Sequence, residues 1–98
     1  MGYAVEIRRT HLDVGTAIYS WQATYDAAGY VVLDRDSATI RPCDADGRPK
    51  GEMRLSRSVG YVENAVPSSV EQFVVVAASI FRSWRDEEPP RTAHRYFG

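Results

Sequence analysis

His11 and Asp13 have the residue types and the spacing of a catalytic base and the carboxylate that orients it. An imidazole held in this way can take a proton from a hydroxyl or thiol nucleophile. No flanking pattern marks a serine or threonine of this chain as that nucleophile. A histidine in a surface turn explains the same two residues, and we favour it over an active site centred on His11.

Cys43 is the only cysteine, so the chain has no internal disulfide, and the neighbouring Asp44 disfavours a thiolate. Residues 44–47 read Asp-Ala-Asp-Gly, which partly matches the middle of a calcium-binding loop. In that alignment Pro42 and Met53 stand where the loop requires carboxylates. We therefore favour a hairpin loop whose aspartates bind backbone amides, and we expect no metal and no cofactor.

A third candidate site is acidic, because Asp34, Asp36 and Glu52 converge if the strands around them pair as a meander. Such a cluster could bind a cation or perform general acid–base chemistry. Arginines alternate with these carboxylates along the chain. We favour cross-strand ion pairs on a solvated face of the sheet, each contributing about 0.2–1 kcal/mol.

Aromatic residues supply the most suggestive pattern. Tyr19, Trp21 and Tyr25 fall on one side of a predicted strand, and Tyr30 follows across a predicted hairpin turn at 26–29. Together these four residues predict a face that stacks on a flat or cationic organic molecule, or that binds a protein. The alternative is that the rings only form the surface on which a helix packs.

Five strands must position these residues. The alternation of apolar and polar residues predicts them at 2–10, 17–25, 30–33, 38–41 and 52–58. Pro42 is expected to end the fourth strand, because proline lacks the amide that a ladder requires. A weaker extended piece follows at 59–62.

One amphipathic helix follows the strands. Ser68 and Glu71 form the pattern of a capping box at its start, and Pro89 and Pro90 prevent its continuation. Apolar residues at a spacing of three and four define the face expected to cover the sheet: Val70, Phe73, Val74, Ala77, Ile80, Phe81 and Trp84.

Val75 and Val76 lie outside that helical face and make the apolar stripe too wide for a helix that covers one sheet. The simplest second contact is a copy of the same chain across a twofold axis, so we predict that both valines lie in a homodimer interface. The alternative is that single β-branched residues are exposed without any partner.

These elements predict the fold class α+β, with an antiparallel meander of about five strands and a C-terminal amphipathic helix packed on one face. The length of 98 residues allows one domain, which we place at 1–88 and follow with a C-terminal tail at 89–98.

Charge and composition exclude several classes of function. Twelve basic and thirteen acidic residues give a net charge of −1, so nucleic acid is not an expected partner. The longest apolar run, 73–78, is far shorter than the roughly 20 residues that span a membrane. We expect a cytoplasmic protein. All basic residues but Lys50 are arginine, which is typical of GC-rich bacterial genomes.

These observations favour a small non-enzymatic binding module, homodimeric, that uses its aromatic sheet face or dimer seam to bind a small organic ligand or a protein. The alternative is a hydrolase- or isomerase-like enzyme with His11 and nearby carboxylates in an aromatic-lined pocket. A third possibility is a structural or regulatory interaction protein of the inhibitor type.

Overall fold

The computed structural model describes residues 3–24 and 27–97, which form one antiparallel sheet and one helix. The sheet has seven strands in the order β6-β5-β4-β3-β2-β1-β7. The elements are β1 (Tyr3–Leu12), β2 (Thr16–Ala23), β3 (Ala28–Asp34), β4 (Thr39–Cys43), β5 (Arg54–Ser56), β6 (Val62–Glu63), α1 (Val70–Ser83) and β7 (Thr92–Phe97). The α+β class and the antiparallel meander are confirmed.

The number of strands differs from the prediction of about five. β6 is a two-residue strand beside β5, and it takes the place of the weak extended piece at 59–62. β7 falls within the segment 89–98 that was expected to be a tail, and it pairs with β1 along its whole length. The helix is therefore followed by a further strand.

Pro42 was expected to end the fourth strand but lies inside β4, opposite Val31. The Lys50 amide donates to the Pro42 carbonyl, which places that carbonyl on the side away from β3. In a strand the nitrogen and carbonyl of one residue point to the same side. The missing amide therefore faces a loop instead of the ladder, because β5 pairs only with Thr39 and Ile40 of β4.

The start of α1 does not use the predicted capping box. Ser69 is the N-cap residue, one position later than expected, and its side chain makes no capping hydrogen bond. The Val66 carbonyl accepts hydrogen bonds from the amides of Ser69 and Val70, so a backbone turn leads into the helix. Glu71 lies in the first turn, where its charge interacts favourably with the helix dipole.

The buried face of α1 is rotated from the predicted one. Val76 is fully buried in the core, whereas Val74, which was expected in the core, is 37% exposed. The reason is that β7 joins the sheet beside β1, and α1 packs against both strands. Val76 is therefore covered within the chain and cannot form a dimer interface; Val75 is half-buried, and its predicted role stays a prediction.

The side of the sheet that α1 covers, here called the helix face, carries the core. Cross-strand register places Ala17, Leu33 and Ile40 in one row of this face and Tyr19 and Val31 in the next. All five side chains are buried and join the helix residues in one cluster. The opposite side of the sheet, here called the open face, carries most of the polar side chains.

We expect Gly29→Ala to destabilise the fold by about 1–3 kcal/mol, because it overfills a packed site. A Cβ atom at Gly29 would lie 3.0–3.1 Å from three atoms of the Trp21 indole. Gly15→Ala is the matched control, since nothing lies within 4 Å of its added atom. Urea unfolding of both variants tests the packing, and equal stability would contradict it.

We expect Tyr19→Phe to lower the free energy of unfolding by about 1–3 kcal/mol, because the buried Tyr19 hydroxyl donates to the Pro90 carbonyl at 2.6 Å. Burial also raises the pKa of Tyr19 above its usual value. Its contribution is therefore present below about pH 10, where an unfolded tyrosine starts to ionise, and is lost at higher pH.

Chemical unfolding of the wild type and Tyr19→Phe at neutral and alkaline pH measures both effects. Tyr61→Phe is the control, because Tyr61 is 66% exposed. A wild type that loses no more stability at high pH than Tyr19→Phe would contradict the buried hydrogen bond.

Candidate functional site

His11 and Asp13 are in contact, as their spacing predicts. The Nε2 atom of His11 lies 3.0 Å from the Oδ2 atom of Asp13, and both side chains are about half exposed. Within the described residues, no hydroxyl or thiol is hydrogen-bonded to the His11 ring. The pair therefore lacks the nucleophile that acyl-transfer chemistry requires.

Asp13 instead organises the turn between β1 and β2. Its Oδ1 atom accepts hydrogen bonds from the amides of Gly15 and Thr16, at 3.0 and 2.8 Å. The hydrogen bond from His11 and these amides hold the pKa of Asp13 below its usual value. This geometry is that of an aspartate-stabilised turn, the alternative that we favoured from the sequence.

Cys43 is buried at the end of β4 and pairs with Pro49 of the loop 44–51, which folds back over the open face. The amides of Asp46 and Arg48 donate to the Asp44 carboxylate at 2.9 and 3.0 Å, as expected for a hairpin loop. Gly47 approaches Ile18 so closely that a Cβ atom there would lie 2.7 Å from its side chain. Burial, with a smaller effect of Asp44, raises the pKa of the Cys43 thiol to about 11.

The predicted acidic cluster does not assemble. The Asp34 carboxylate accepts hydrogen bonds from the amides of Asp36 and Ser37 in the turn after β3. The Glu52 carboxylate lies instead 3.8 Å from the guanidinium of Arg41. Arg54 pairs with Glu63 at 3.3 Å, so cross-strand ion pairs do form. No group of three histidine, cysteine, aspartate or glutamate side chains that could hold a metal ion occurs in the part of the chain that the structure describes.

The aromatic residues do not share one face. Tyr19 is completely buried on the helix face, and the half-buried Trp21 lies opposite Gly29 on the same side. The hairpin register places Tyr30 opposite Ser20, which turns it to the open face. Tyr25 lies outside the described residues. The expectation of a continuous aromatic stripe is therefore wrong for Tyr30, because an odd-numbered difference between the assumed and the observed hairpin register moves a side chain to the other face of the sheet.

Trp21 lines a cleft between the sheet and the first turn of α1. The cleft has a volume of about 160 Å³, and its lining includes Phe73, Met53, Cys43 and Lys50. Pockets that enclose organic ligands usually have volumes of about 300–1,000 Å³. This cleft is therefore smaller than the usual pocket for an organic ligand, and the ligand-binding role of Trp21 stays a prediction.

A larger depression of about 420 Å³ lies on the open face across β2, β1 and β7. Six polar side chains line it in two cross-strand rows: Gln22, Glu6 and His94, and Ser20, Arg8 and Thr92. Two of these six residues belong to β7. The depression therefore extends to the edge of the sheet.

The β7 edge is the feature that sequence reasoning missed. The Arg9 amide donates to the Arg91 carbonyl, so the backbone groups of Arg9 point toward β7. The amide and carbonyl of Ala4 bond to the Thr24 hydroxyl, so those of Ala4 point toward the side of β2. Because direction alternates along antiparallel strands, Ala93 and Arg95 pair with β1. The amides and carbonyls of the alternate residues therefore point outward, away from the sheet: Thr92, His94 and Tyr96.

No other strand pairs with this outer side of β7 within residues 3–24 and 27–97. All three outward residues are exposed, and Tyr96 is 68% exposed. The opposite edge differs, because β6 has only two residues and is followed by Asn64, which adopts a positive φ of 56°. The available signal was that Thr92, Tyr96 and Phe97 are residue types enriched in strands and follow the two prolines that prevent continuation of the helix.

Comparisons with known proteins identify no relative: no family model, no curated protein and no solved structure matches the chain. The part of the chain that the structure describes contains no helix with both the length and the apolar character needed to cross a membrane. The fold is that of a small α+β sheet protein in which, among the described residues, no strand pairs with the outer side of β7.

We expect Cys43 to react with a thiol reagent at pH 8 at least about 100-fold more slowly in the folded chain than in denaturant. The pKa of about 11 leaves little of the thiol ionised, and burial keeps the reagent away from the sulfur. Stopped-flow absorbance with a disulfide reagent measures both rates. Rapid reaction in the folded chain would show that the loop 44–51 does not cover Cys43.

Proposed function

We propose that this chain is a non-enzymatic binding module that binds extended protein segments along β7. The observation that supports it is the open edge of a six-residue strand that contains neither proline nor bulge. Natural sheets usually protect such edges, because they pair with other chains. An exposed edge of this kind binds partners by strand addition, in which main-chain hydrogen bonds supply affinity.

Side chains around the edge favour a protein over a small organic ligand. Tyr96 exposes an aromatic ring beside the outward amides, and aromatic residues are enriched in protein interfaces. His94 and Thr92 connect the edge to the polar depression on the open face. Alternate side chains of an added strand would lie over that depression, where they would select the partner.

Catalysis has less support. His11 has no nucleophile beside it within the described residues, the Cys43 thiol is buried, and Glu52 pairs with Arg41. Binding through β7 requires none of these groups. A module that only binds is therefore the simplest function that fits the geometry.

We expect His94→Pro to weaken strand addition while the fold persists, because the His94 amide points away from the sheet. Linear peptides selected from a random display library against the wild type should bind His94→Pro about fivefold more weakly than His94→Ala, since one hydrogen bond contributes about 1 kcal/mol. Calorimetry measures the affinities.

Ala93→Pro is the matched control, because the Ala93 amide points to β1 and its loss should destabilise the sheet. Amide exchange adds a second readout, in which a bound peptide slows exchange at Thr92, His94 and Tyr96. Selected peptides that bind His94→Pro as tightly as the wild type would contradict the proposal.

A further inference from the structure

We infer that the segment that adds to β7 is β7 of a second copy of this chain, antiparallel to the first about a twofold axis at His94. This inference rests on the proposed function, since it names the partner of the same edge. It also replaces the dimer expected through Val75 and Val76, because Val76 is buried within the chain.

The directions in which the amides and carbonyls of β7 point restrict the register between the two copies of the strand. In an antiparallel ladder, outward residues of one strand must face outward residues of the other. With the axis at His94, Thr92 faces Tyr96 of the partner subunit, and His94 faces His94 of the partner subunit. All outward amides and carbonyls of β7 then pair, in three hydrogen-bonded pairs.

Charge selects the same register. Sliding one strand by two residues in one direction places Arg95 opposite Arg95 of the partner subunit. Sliding it in the other direction places Arg91 opposite Arg95 of the partner subunit. Like charges directly opposite one another destabilise a ladder. The register centred on His94 places Arg95 opposite an uncharged residue, Ala93 of the partner subunit. It also pairs every outward amide and carbonyl of Thr92, His94 and Tyr96. No other register meets both conditions.

The edge is held in place before the second copy binds. Arg9 donates to the Pro89 carbonyl at 2.7 Å, and Tyr19 donates to the Pro90 carbonyl at 2.6 Å. Fixing a strand in its bound conformation reduces the entropy cost of association. Among the residues that the structure describes, the other end of the sheet offers no comparable edge, because β6 has two residues.

Pairing also changes the depression on the open face. Thr92 lines its rim, and Tyr96 of the partner subunit lies opposite Thr92 on that same face. Each depression therefore gains an aromatic wall from the other subunit. The two depressions meet at the twofold axis, beside the two His94 side chains.

Light scattering behind size exclusion, over a concentration series of the full chain, tests the inference. We expect a mass that rises with concentration toward about twice 11.0 kDa. His94→Pro should raise the dissociation constant of the dimer at least about tenfold over that of His94→Ala, through the lost outward hydrogen bonds. Circular dichroism establishes that both variants are folded.

Disulfide trapping tests the register without a proline. Position 94 faces itself across the axis at a Cα separation of about 5.5 Å, which a disulfide spans. In a Cys43→Ala background, His94→Cys should form a linked dimer at least about tenfold faster than Tyr96→Cys, whose residue faces Thr92 instead. Non-reducing electrophoresis over time gives both rates.

Any of three results would overturn the inference. The wild type could stay monomeric at all concentrations, or His94→Pro could leave the dimer intact. His94→Cys and Tyr96→Cys could also form the disulfide-linked dimer at equal rates. The two proposals fail separately. A monomer that still binds selected peptides along β7 retains the proposed function, whereas a dimer through β7 that binds no peptide retains only the self-association.

Discussion

The anchoring of the chain reversal after α1 is the constraint on which the rest of the structure depends. Pro89 and Pro90 have no amide, so their carbonyls are the only backbone groups there that can form hydrogen bonds. Arg9 and Tyr19 donate to these two carbonyls, and the Arg9 amide then donates to the Arg91 carbonyl. These bonds fix the position at which β7 starts beside β1.

This position of β7 determines how the helix packs. Because β7 widens the sheet beyond β1, the helix lies over both strands and turns Val76 and Ser79 into the core. The buried Ser79 hydroxyl donates to the Val75 carbonyl at 2.7 Å, so its burial leaves no unpaired donor. The wide apolar stripe is thus largely covered by the chain itself, without a second subunit.

Local patterns in the sequence predicted most elements but not how they combine. Alternation and the three-and-four spacing located the first five strands and α1, because each pattern reflects one buried face. The face that Tyr30 occupies depends on the register of the hairpin between β2 and β3. The turn sets that register, and the alternation of apolar and polar residues within each strand does not reveal it. The β7 edge depends on a pairing across more than 80 residues, between Arg8 and Thr92, which no local pattern contains.

An open edge costs the isolated chain little, because water satisfies its amides and carbonyls. For the same reason each hydrogen bond formed there contributes only about 1 kcal/mol. Association costs about 4–15 kcal/mol in lost freedom, so main-chain pairing alone gives weak binding. Side chains must supply the remainder, and those of Tyr96, His94 and Thr92 are the ones beside the edge. Their contacts over the open-face depression, more than the ladder itself, would therefore decide which strand β7 accepts.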